Sequence, residues 1–254
     1  MDKIYLVLFF IWGSIMGSFY HVIATRLSNG KSIIKPPSHC EVCQKQLRWY
    51  ELIPIVSYII QGGKCLKCKS KIPLSYFLIE VCTGILFAVS YHVFGLSFKL
   101  IEALIFISSL IIIIVSDIEY MIILDEVLLV ASFSIIIVKI LDIGLYETAL
   151  GVASGIGAFL TMILIKKIGD FMFKQESLGG GDIKLMFLVG LVIGYSMAIC
   201  NIFLATFIAF PIALGMLLLK KDNIIPFGPF LSMSAIILYI WGITFTEIIT
   251  FLIT

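Results

Sequence analysis

Two aspartates and four cysteines carry the chemistry of this sequence. Asp117 ends the run I-I-I-I-V-S-D, and Asp182 sits in L-G-G-G-D-I-K-L. Each lies at one end of a long apolar stretch, where a carboxylate is costly unless it faces a partner or a water-filled cavity. Two such groups at one height can meet although 64 residues separate them in the chain. Close carboxylates do not both ionise; they share a proton and titrate as a pair. The ionised member takes a proton from water while the neutral one polarises a carbonyl, which suits peptide hydrolysis. Gly179, Gly180 and Gly181, just ahead of Asp182, predict a backbone that bends and lets a substrate strand come close. Acids at span ends also occur as solvated loop residues, in transporters and in proton relays, and spacing alone does not separate these readings.

The cysteines form two C-x-x-C pairs, Cys40/Cys43 and Cys65/Cys68, with 21 residues between the pairs. In a reducing compartment four thiolates so arranged suit one tetrahedral, structural Zn²⁺, with no open position for catalysis. The surrounding stretch has too little apolar residue to build a core, so a metal would supply its folding energy. His39 adjoins Cys40 and reads as supporting or exposed. Cys82 and Cys200 stand alone inside apolar runs and read as small packing residues.

The elements that must position these groups are membrane spans. The 254-residue chain is 61% hydrophobic and only 13% charged, with a mean hydropathy of +1.13. No small soluble core can hide so much apolar side chain. A net charge of +2 gives no case for a nucleic-acid partner. The first apolar stretch, Ile4 to Ile23, is long enough to span and lacks an A-x-A-like site after it, so a retained helix is expected. Hydropathy predicts about eight transmembrane helices, near 4–25, 75–95, 98–116, 127–145, 148–166, 184–200, 201–219 and 229–252. The expected organisation is an all-α polytopic membrane protein: a first helix (1–25), a zinc-binding loop (26–74) and a membrane-embedded core (75–254).

Fifteen of the 18 lysines and arginines fall in three connections. These are the loop from Arg26 to Lys71, the stretch around Lys166, Lys167, Lys174 and Lys184, and the pair Lys220 and Lys221. With eight spans all three lie on one side, which the positive-inside rule makes cytoplasmic. Asp117 and Asp182 fall on the same side. The third-to-fourth connection is expected there too, although it holds only acids: Asp117, Glu119, Asp125 and Glu126. Lys184 is expected at the rim of the aspartate pair, reaching substrate or lipid phosphate, or simply snorkelling. Asp125 and Glu119 are expected to matter less, lying beyond the span end without need of a partner.

Several segments match a known pattern in order and spacing. They are G-S-F-Y-H-V-I-A-T-R-L at 17–27, P-P-S-H-C-x-x-C at 36–43, L-I-P-I-V-S-Y at 52–58, G-K-C-L-K-C at 63–68 and Y-F-L-I-E at 76–80. D-I-E-Y-M-I-I-L-D at 117–125, L-G-G-G-D-I-K-L at 178–185 and P-F-G-P-F at 226–230 follow. Over nearly its full length the chain resembles type IV prepilin peptidases, the leader peptidase/N-methyltransferases with a GxGD-type aspartate site. The resemblance implies cleavage of the leader of prepilins and pseudopilins at the cytoplasmic face of a bacterial plasma membrane, with Asp117 and Asp182 as catalytic pair and Gly179, Gly181 and Lys184 supporting. It also implies methylation of the new amino terminus from S-adenosylmethionine, with Gly17, His21, Arg26 and Glu80 as candidates on the methyltransferase side. Leu124 stands where the family usually has proline, and His21 where it has asparagine. No G-x-G-x-x-G unit marks a site for S-adenosylmethionine. Two other readings are a proton-coupled transporter with paired acids, which would want mid-span acids and internal symmetry, and a zinc-loop assembly protein without catalysis.

Overall fold

The structure, a computed structural model, describes residues 2–219 and 225–242. Lys220, Lys221 and the far end of the expected eighth span (243–252) lie outside the described residues. The described residues are helical throughout the apolar stretches and contain no strand, only two isolated bridges, His39 with Gln46 and Lys64 with Lys71. The chain divides into two compact units, 1–96 and 97–254. The boundary places the second apolar helix with the first, rather than with a core running from 75.

In the first unit, α1 (Asp2–Ser28) and α3 (Leu74–Phe94) run antiparallel around a loop that carries a 3-10 turn (Trp49–Leu52) and the short α2 (Val56–Ile60). Lipid gives helices no hydrophobic reason to associate, so close packing must, and small residues allow it. Gly13 and Gly17 form a G-x-x-x-G pair on α1. A methyl group at Gly13 would lie 2.7 Å from the Thr83 carbonyl oxygen, one at Gly17 2.8 Å from Thr83 Oγ1, and one at Gly84 2.5 Å from Ser14 Oγ. Tyr5 and Phe9 pack on Tyr91, and Trp12 on Phe87, along the same seam.

The second unit holds α4 (Phe98–Tyr120), α5 (Asp125–Phe173), α6 (Gly180–Ile193), α7 (Tyr195–Leu218) and α8 (Gly228–Trp241). Of the helices long enough to span, α4 is the most enclosed, which fits its apolar character on every face. Phe106, Ile107, Leu110 and Ile113 have no exposed surface. Ser97 caps its start by accepting the Leu100 N–H, and Met121 closes its end in the left-handed conformation. Helix α5 packs on α6 through glycine: a methyl group at Gly155 would lie 2.7 Å from the Phe187 carbonyl oxygen. An ion pair between Lys139 and the buried Glu102, at 3.6 Å, joins α5 to α4.

Among the described residues, five helices are long and apolar enough to cross a membrane: α1, α3, α4, α5 and α7. The 49 residues of α5 would rise about 73 Å, more than twice the roughly 30 Å of a hydrocarbon core. Gly144 breaks it, with φ 82° and ψ 174°, so α5 supplies the separate fourth and fifth stretches expected from hydropathy. The sixth and seventh stretches divide earlier than expected. Gly194, at φ 81°, ends α6 and is the single link to α7, so the break lies at 194 and not at 200/201. Uniform hydropathy hides a one-residue link that a glycine makes possible.

Candidate functional site

Asp117 lies in the last turn of α4 and Asp182 in the first turn of α6; both are buried, 6% and 7% exposed. They line one cleft of about 380 Å³, together with Met121, Ile123, Gly179 and Phe227. The carboxyl groups are near enough to feel one another's charge. A larger open groove of about 620 Å³ runs along Gln46 to Tyr50 in the first unit. It has no paired carboxylates, and the chemistry points to the smaller cleft.

Local structure fixes each acid. Asp182 reaches back to accept the N–H of Gly179, the N-cap residue just before α6. This is the carboxylate half of a capping box. Its Oδ1 is buried and has no hydrogen-bond partner among the described residues. A buried, unsatisfied carboxylate oxygen is expensive and calls for water or substrate. Asp117 accepts the N–H of Gly228, the first residue of α8. Backbone approaches so closely there that a methyl group on Gly228 would lie 2.6 Å from Asp117 Oδ2. Pro229 follows at the start of α8, where a missing N–H costs nothing. Gly228 lies inside the P-F-G-P-F segment, but its contribution is a backbone N–H, which leaves no side-chain signal in a sequence.

Gly179, Gly180 and Gly181, ahead of Asp182, all line the cleft. Gly179 has extended backbone, and Gly180 and Gly181 already belong to α6; none takes a positive φ. Gly181 serves close packing, since a methyl group there would meet Ile123 Cβ at 2.6 Å, whereas nothing lies within 4 Å of one at Gly180. Lys184 is held by Asp125, with Nζ 2.9 and 2.6 Å from the two carboxylate oxygens. Asp125 therefore has a partner, contrary to expectation, because α6 returns beside the start of α5.

In the first unit the four cysteines converge. All four Sγ atoms lie within 4.8 Å of one another. Cys40 and Cys68 Sγ are 3.8 Å apart, and Cys43 and Cys65 Sγ 3.9 Å. Those separations are too long for disulfides. They match the ~3.8 Å edge of a tetrahedron whose centre is ~2.3 Å from each sulfur. The two C-x-x-C turns are twins. The N–H of Cys40 donates to Lys45 O and that of Cys65 to Ser70 O, both at 2.9 Å. Gln44 and Lys69 occupy the same position after each turn, at φ 55° and 59°. The donor set and its spacing fit a structural zinc ion. Beside it Glu51 is buried, accepting from Lys45 Nζ at 2.8 and 2.9 Å and from the Arg48 N–H at 3.0 Å. The Lys45 ammonium, and then the Arg48 N–H, hold its carboxyl below the usual range.

The remaining candidates lie in or next to the α1–α3 pair. His21 is 2% exposed, its ring 3.7 Å from that of Tyr76. Gly17 packs on Thr83. Arg26 donates to the carbonyls of Ser32 and Ile33 at 3.2 Å. Glu80 accepts from Ser18 on α1 and, at 2.7 Å, from the N–H of Ile55.

Known proteins match both units. The family model described as Bacterial Peptidase A24 N-terminal domain covers residues 11–94, and that described as Type IV leader peptidase family covers residues 104–214. A Bacillus subtilis protein named prepilin leader peptidase/N-methyltransferase is 35% identical over 242 residues, 93% of this chain and 94% of the relative. A Vibrio cholerae protein of the same name is 30% identical over 226 residues, 83% of this chain and 86% of the relative. No solved structure matches. With a family model on each of its two units and relatives aligned along most of their length, the chain belongs to the type IV leader peptidase family.

Proposed function

We propose that this protein is a multi-pass enzyme of the bacterial cytoplasmic membrane that hydrolyses the leader from type IV prepilins and pseudopilins, with Asp117 and Asp182 as its acid–base pair. The observation that carries the reading is the cleft itself: two buried carboxylates from α4 and α6 line it, and Asp182 Oδ1 is buried and unsatisfied among the described residues. In this scheme the pair holds one proton. The ionised carboxylate takes a proton from water as it attacks the scissile carbonyl, and the neutral one hydrogen-bonds the carbonyl oxygen. The leaving amine receives the proton as the carbon–nitrogen bond breaks. Gly228 fixes Asp117 through its N–H, Gly181 lets Ile123 close on α6, and the Lys184–Asp125 pair ties the start of α5 to α6. The test is co-expression with a prepilin. Cleavage by the native chain and its loss in Asp117→Asn and Asp182→Asn are expected, while normal cleavage by either variant removes the assignment.

The reading extends to N-methylation of the new amino terminus, because the relatives carry that activity in their name. S-adenosylmethionine would be the methyl donor. Gly17, His21, Arg26 and Glu80 frame the first unit through the contacts above. Zinc on Cys40, Cys43, Cys65 and Cys68 would hold the ends of the 26–74 loop together and supply the folding energy its side chains lack. A transporter is disfavoured by the placement of Asp117 and Asp182 at helix ends in one cleft.

A further inference from the structure

The loop between α1 and α3 does not simply stand above the helices. The N–H of Ile55 donates to Glu80 Oε2 at 2.7 Å. Glu80 is six residues beyond Leu74, the first residue of α3, and so about 9 Å along the helix axis. Tyr58 packs its ring on Phe77, with centroids 5.2 Å apart. Helix α2 therefore lies beside the first two turns of α3, at their depth. Those turns belong to a helix long and apolar enough to cross a membrane, in which Glu80 is the one carboxylate. Ile55 holds φ 64°, a conformation unfavourable for a branched side chain, so the anchor overrides a local preference to keep the chain there.

Tyr58 faces α3, so residues two positions away on either side point the opposite way, since two helical residues turn about 200°. They are Val56 and Ile60, 48% and 79% exposed, flanked by Ile59 at 63%. The stretch from 29 to 72 carries exposed cations, among them Arg48, Lys64, Lys67, Lys69 and Lys71, but Glu41 is its one exposed acid. An apolar edge at span depth, bordered by cations, is complementary to an anionic lipid surface.

We infer that residues 53–60 form a re-entrant segment in the headgroup–acyl boundary of the membrane, with Val56, Ile59 and Ile60 towards the acyl chains, the loop cations on anionic headgroups, and Glu80 setting the depth. Irregular backbone is tolerated there because Glu80 satisfies it. The zinc-binding part of the loop then rides on the membrane surface and does not swing freely in water. The inference stands on the first unit alone and is independent of the peptidase reading.

The experiment uses the full chain in nanodiscs containing phosphatidylglycerol. Ile60→Trp, combined with Trp12→Phe, Trp49→Phe and Trp241→Phe, leaves one reporter. Lipids brominated near the carbonyl end of the acyl chain should quench its fluorescence strongly, lipids brominated near the terminal methyl less, and aqueous iodide little. Strong iodide quenching without bromolipid quenching would place the segment in water and overturn the inference. Protection from both quenchers would mean that protein covers this edge, and would overturn it equally. Glu80→Ala should shift the balance towards iodide, whereas Glu80→Gln, which keeps an acceptor oxygen, should not. An unchanged profile in Glu80→Ala would remove Glu80 as the anchor.

Discussion

Asp117 and Asp182 act as one unit if they share a proton and a water molecule. Each Asp→Asn variant should therefore lose at least about a thousandfold in prepilin cleavage, with the double variant scarcely worse. A gel-shift assay on membranes reads this directly. The structure adds Gly228→Ala. Its methyl group would press on Asp117 Oδ2, moving the carboxylate and breaking the N–H contact, at a cost of about a hundredfold in kcat with KM little changed. A large KM effect with kcat intact would instead place Gly228 at substrate binding. Asp125 and Lys184 are each about half exposed at their ion pair, so Asp125→Asn should cost under about 1 kcal/mol of stability in thermal unfolding. The aspartates were legible because a carboxylate at the end of an apolar run needs a reason. Gly228 as the donor to Asp117 was not, because an N–H looks alike at every residue.

At the scale of elements, the twin cysteine turns bring four thiols to a spacing at which a metal would close the loop. Metal analysis should find one zinc per chain, and Cys43→Ser should expose the loop to proteolysis while the helices stay protected. Glu51 gives that loop a pH dependence. Its carboxyl is lowered, so its contribution is fully present above the usual carboxylate range, near 4.5. It is then lost as pH falls through the lowered value. Thiolate protonation also loosens a zinc loop in acid, so the comparison is with Glu51→Gln. That variant should be less protected at neutral pH and converge with the native chain in acid. A constant gap across the range would mean that the Glu51 charge contributes nothing. The cysteine spacing announced this element, and the hydropathy announced the helices. The sequence did not reveal that α5 runs through two stretches with only Gly144 bending it, or that Gly194 alone parts α6 from α7. Both breaks are single residues inside uniformly apolar segments.

For the whole molecule, the lysine distribution predicts one cytoplasmic side for the 26–72 loop and both aspartates. Single cysteines placed at Lys35 and Glu176 should resist an impermeant reagent in intact cells and react after permeabilisation; labelling from outside would reverse the topology. The length of α6 has a consequence for the solvent around it. Its 14 residues rise about 21 Å, some 9 Å short of a typical hydrocarbon core. With its far end at one boundary, the end bearing Asp182 stops inside the other. Either the bilayer thins there or water enters to meet it, and a hydrolase needs that water. Bilayer thickness thereby becomes a control on turnover. Prepilin cleavage in nanodiscs should decline as acyl chains lengthen, while the zinc content of the same samples stays constant.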